Sequence, residues 1–176
     1  MRAGLALILG LVLAVTPAFA QGKTKTAPAD EAVAALEVCE AFASRDSGAL
    51  DKAIEAGWDA YDEVSESPFV VQYGAAREMP GIGWADLYVL QEGYPGTEFG
   101  YCRIDVTEPK GKGAAAIEAI AGLDRYEGDV TTEGQGTYAS LEGTGEGQTL
   151  LMTHWDETGF VLQLTKIAPK AAPSEQ

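Results

Sequence analysis

Over residues 99–107 polar and apolar side chains alternate: Cys102, Ile104 and Val106 fall on one side, Tyr101, Arg103 and Asp105 on the other. A period of two marks a strand with one face in a core and one in water. Such a strand needs a covering layer, and the chain supplies one. Ala32, Ala35, Leu36, Cys39, Phe42 and Ala43 recur at three- and four-residue steps, forming one apolar stripe on a helix that Asp30 can cap. Ser47 can cap a second, shorter helix with Leu50, Ala53 and Ile54 inward, ended by Gly57 and followed by Trp58 as a core anchor. Ile117, Ile120 and Ala121 mark a third helix over 113–123.

Between and after the helices the period is that of strands. Phe69, Val71 and Tyr73 alternate, residues 84–91 are mostly apolar, and three more strands are expected near 130–141, 148–155 and 160–167. The order ααβββαβββ predicts an α+β fold, a largely antiparallel sheet of about six strands with three helices on one face. Gly and Pro in residues 92–98 predict a turn that pairs the second and third strands. Ala53-Ile54-Glu55-Ala56 recurs as Ala116-Ile117-Glu118-Ala119, and this 63-residue offset roughly superimposes the strands that follow each copy.

The N-terminus reads as an export signal. Arg2 precedes an apolar run over residues 4–15, and Pro17 breaks it before Ala18-Phe19-Ala20, predicting cleavage ahead of Gln21. That run is shorter than the ~20 residues a membrane span needs, so no membrane insertion is expected once the signal is removed. Residues 21–29 and 168–176 read as disordered tails around a single domain over 30–167. The expected location is periplasmic or secreted. In that oxidising setting Cys39 and Cys102, both inward on their elements, are expected to form a disulfide.

With 12 basic and 27 acidic side chains the formal charge is −15. Nucleic-acid binding, which needs clustered Lys and Arg, is excluded as an expectation. One histidine and two cysteines are too few for the common zinc sets. No cofactor or metal is expected. The densest acidic stretch, Asp59, Asp62, Glu63 and Glu66, reads as a solvated loop without the spacing of a calcium loop.

Three places remain as candidate sites. Tyr94, Phe99 and Tyr101, around the Pro95-Gly96 turn, offer aromatic contact area flanked by Glu92 and Glu98, suited to a basic protein partner. Lys110 and Lys112, in a Lys-Gly-Lys-Gly loop before the third helix, are a candidate anion site. His154 lies beside Asp156-Glu157-Thr158-Gly159. With Gly159 left-handed in a three-residue loop, His154 faces an apolar layer opposite Leu162; a four-residue loop would bring Trp155 inward instead. The expected function is therefore an exported, non-catalytic module that binds a protein or ligand, as an inhibitor or envelope-associated factor. The alternative is a hydrolase using scattered carboxylates or His154.

Overall fold

The computed structural model describes residues 27–63 and 70–170; the expected signal, most of the N-terminal tail, Phe69 and the end of the C-terminal tail lie outside them. Helix α1 (Pro28–Ala43) is followed by α2 (Ala49–Glu55), by β1 (Asp59–Glu63), β2 (Val71–Met79), β3 (Gly83–Tyr94) and β4 (Thr97–Thr107), then by α3 (Ala114–Ala121) and by β5 (Tyr126–Glu133), β6 (Gly136–Gly143), β7 (Gln148–Trp155) and β8 (Gly159–Pro169). The strands form one antiparallel sheet in the order β1-β2-β3-β4-β8-β7-β6-β5. The fold is α+β, as expected, but with eight strands rather than about six.

Two expectations account for the difference. The acidic stretch at Asp59 is not a loop at its start: Asp59–Glu63 pairs along its length with β2, as an edge strand. The expected strand near 130–141 is two strands, folded back on each other at Gly134-Gln135, where Gly134 takes a φ of 61°. Glycine adopts that left-handed backbone without a steric penalty, which is what a two-residue hairpin turn demands. Element ends also differ. α1 begins at Pro28 rather than at an Asp30 cap, with proline at the first helical turn and Asp30 and Glu31 inside it, where carboxylates favour the helix dipole. α2 has Gly48 at its cap, not Ser47, and β8 runs to Pro169 rather than 167.

The core lies between α1 and the central strands. Ala32, Ala35, Leu36, Cys39 and Phe42 are buried with Leu87 and Val89 of β3, Ile104 and Val106 of β4, and Phe160, Leu162 and Leu164 of β8. The expected disulfide joins Cys39 to Cys102 and ties α1 to β4. Gly100 lets the end of α1 lie on the sheet, because a Cβ there would come within 2.1 Å of the Ala43 carbonyl oxygen. Gly113 similarly makes room for Trp155 at the start of α3. A buried charge pair, Glu31 with Arg77, links α1 to β2, and the Arg77 guanidinium lies 5.0 Å from the Trp58 ring.

The order of elements repeats. α2 with β1–β4 and α3 with β5–β8 are each a helix followed by four strands, and the sheet order reads inward from both edges to a β4–β8 seam. β4 and β8 are both 11 residues long and are offset by 62 (159 − 97), with Cys102 opposite Leu164 at the midpoint. α1 has no counterpart in the second half. Burial in the matched tetrapeptides differs: Ile117 is fully buried while Ile54, expected inward, is 51% exposed.

Candidate functional site

Alternation along each strand sorts side chains onto two faces. On β3, Ala85, Leu87 and Val89 are buried, while Trp84, Asp86 and Tyr88 are exposed. Register carries this second set across the seam. It joins Tyr101, Arg103 and Asp105 of β4 to Gln163 and Ile167 of β8, and to Leu150, Met152 and His154 of β7. Trp84 is 58% exposed and Met152 48%, and Tyr88, Leu150 and Ile167 are also exposed. Single exposed apolar residues are ordinary, and it is their recurrence on one sheet face, on β3, β8 and β7, that makes this face the candidate surface.

Near the centre of this face a polar network is fixed by the strands. Arg103 makes a bidentate contact with Asp105, with both distances at 2.7 Å, and its third nitrogen donates to Gln163 at 3.0 Å. The Tyr101 hydroxyl donates to the same Gln163 oxygen at 3.3 Å. Asp105 raises the Arg103 pKa further above its usual value, so this cation stays charged. Arg103 is the sole lysine or arginine at an open-face strand position among the described residues. Carboxylates occupy many of the others, including Asp86, Glu127, Asp129, Glu133 and Glu142.

The structure brings Tyr94, Phe99 and Tyr101 together on this face. Tyr94 stands on the β3–β4 turn, exposed, and its hydroxyl donates to Glu92 at 2.5 Å; that bond raises the tyrosine's pKa. Phe99 lies between Glu92 and Ile167, and Tyr101 is opposite Thr165. Beyond them, Glu142, Leu150, Thr165 and Ile167 line an open depression of about 370 Å³.

Lys110 and Lys112 lie apart from these aromatics, past the far end of β4. Lys110 donates to Glu78 at 3.0 Å, and its backbone N–H donates to the Ile82 carbonyl at 2.7 Å. Lys112 shares a depression with Asp156 and Glu157, carboxylates that disfavour an anion there.

His154 is on the open face, not facing an apolar layer. Trp155 pairs with Phe160 across a four-residue loop, Trp155 turns inward, and His154 pairs with Val161 instead of Leu162. The Asp156 side chain decides this register. It accepts from the backbone N–H and hydroxyl of Thr158 and from the Gly159 N–H, so no left-handed Gly159 is needed. These bonds, the Thr158 hydroxyl first, hold the Asp156 carboxyl at a pKa of about 2. The His154 ring stacks on Tyr138 at 5.6 Å, and its Nε2 is 3.9 Å from Asp156. Among the described residues no hydrogen bond joins it to a serine, threonine or cysteine.

Sequence reasoning passed over Trp84, Tyr88, Leu150 and Met152. The signal was there in β3: Trp84, Asp86 and Tyr88 alternate with Ala85, Leu87 and Val89 as sharply as the residues of β4 do. Comparison with protein-family models, with curated proteins and with solved structures finds no match to this chain.

Proposed function

We propose that the protein is an exported, non-catalytic binding module whose open sheet face docks a basic protein, acting as an inhibitor or an envelope-associated factor. The observation that carries this reading is the presence of exposed Trp84, Tyr88, Leu150 and Met152 on a sheet face whose charged strand positions, Asp86, Asp105, Glu127, Asp129, Glu133 and Glu142 among them, are predominantly acidic. Aromatic side chains supply contact area with little rotamer loss, Met adapts its shape to what it meets, and carboxylates around them steer a cationic partner and reject acidic ones. On this reading all three helices share the other face and leave this one free. The Cys39–Cys102 bridge and the signal-like residues 1–20 support export to the periplasm or medium.

Two measurements test the proposal. Mass spectrometry of the exported protein should find an N-terminus at Gln21. Immobilised protein should retain a basic exported protein, and Trp84→Ala/Met152→Ala should release it while Glu37→Ala/Glu118→Ala, on exposed helix positions, should not. Retention by the open-face variant overturns the reading.

A further inference from the structure

Within the open face the charges are unevenly satisfied. Register sets Asp86 directly opposite Asp105. Facing residues on one side of an antiparallel pair have Cβ atoms about 5 Å apart, and like charges there are unfavourable. Asp105 is relieved by the two bonds from Arg103. Asp86 has no hydrogen bond or ion pair among the described residues and is exposed. Its neighbours along β3 are Trp84 and Tyr88, about 7 Å away on either side by strand geometry. Neither ring has a cation over it among the described residues; those contacts belong to Trp58 and Tyr126. Opposite Tyr88 on β2 is Gly74, which leaves that flank of the ring without a side chain, while Arg103, already held by Asp105 and Gln163, faces it from β4.

Resting on the proposed docking role, we infer that Trp84, Asp86 and Tyr88 form the receptor for an arginine side chain of the basic partner. A guanidinium can place its two-nitrogen fork on Asp86, as Arg103 does on Asp105, and lay its plane against an indole or phenol ring. A second copy of this chain is a poor occupant, because its own open face would oppose carboxylates to carboxylates.

The test uses the full exported protein and a hexa-arginine peptide, at physiological salt, followed by amide chemical shifts. Saturable shifts should centre on residues 84–88 and 103–105. Asp86→Asn should weaken binding at least fivefold and Trp84→Ala at least threefold. Glu127→Gln, the same change of charge at the β5 edge of the same face, should change it less than twofold. Equal losses in Asp86→Asn and Glu127→Gln, or hexalysine binding as tightly as hexa-arginine, would overturn the arginine receptor and leave the docking face standing. Shifts confined to α1, α2 and α3 would overturn both.

Discussion

The two faces of the sheet are built from the same strands, often from adjacent residues, and they differ in nearly every property. Leu151 is fully buried and Met152, the next residue, is half exposed; Leu87 lies in the core between exposed Asp86 and exposed Tyr88. One face is largely aliphatic, with Trp155 and Phe160 buried among it, lies close to α1 and is cross-linked to it. The other carries aromatics, a fixed Arg103–Asp105–Gln163 network and many carboxylates. Stability is concentrated on the first and, on the proposed function, recognition on the second, so substitutions one residue apart should have effects of different kinds.

The largest expected effect is on the covered face. Replacing both Cys39 and Cys102 by alanine opens a loop with a sequence separation of 63, for which chain entropy gives a loss of about 4 kcal/mol. Chemical denaturation should find the variant folded and weakened by that order. A loss of less than about 1 kcal/mol would place the stabilisation of the covered face elsewhere. Next come the neighbours on β7. Leu151→Ala should cost roughly 2–5 kcal/mol, whereas Met152→Ala should stay within about 0.5 kcal/mol. Equal losses in the two denaturation curves would break the comparison of faces.

A smaller effect belongs to the loop that sets the register of β7 and β8. Asp156 has its pKa lowered from 3.8 to about 2 in the folded protein, chiefly by the Thr158 hydroxyl and backbone N–H. Its contribution is therefore fully present above pH 3.8 and lost as the pH falls toward 2. Stability measured from pH 5 to 2 should fall less steeply in Asp156→Asn than in the native protein. Parallel curves would remove Asp156 as the holder of that loop.

Much of the covered face was legible in the sequence, because core burial imposes strict periods. The stripe from Ala32 to Phe42 and the alternation through Cys102, Ile104 and Val106 follow from period, and the disulfide between those two elements from both cysteines facing inward in an expected oxidising setting. The edges were harder. Asp59–Glu63 has the acidic composition of a loop and becomes a strand by pairing with β2, a tertiary effect that local propensity does not encode. The hairpin within 126–143 hides its turn, since Gly134 and Gly136 can each be a turn or a strand residue. His154 was misplaced because Asp156 side-chain bonds favoured a four-residue loop over one with a left-handed glycine, and one residue of slip exchanges the faces. Of the open face, Tyr94, Phe99 and Tyr101 were legible from their spacing, whereas Leu150 and Met152 join them only through the β4–β8 seam.

Covalent footprinting of the protein alone and in complex with its captured basic partner tests the docking face most directly. Protection should fall on Trp84, Tyr88, Leu150 and Met152, alternating residue by residue along β3 and β7, with the helix positions Glu37, Glu55 and Glu118 labelled equally in both states. Protection of those helix positions, with Trp84 and Met152 still open to reagent, would contradict the assignment of recognition to the open face.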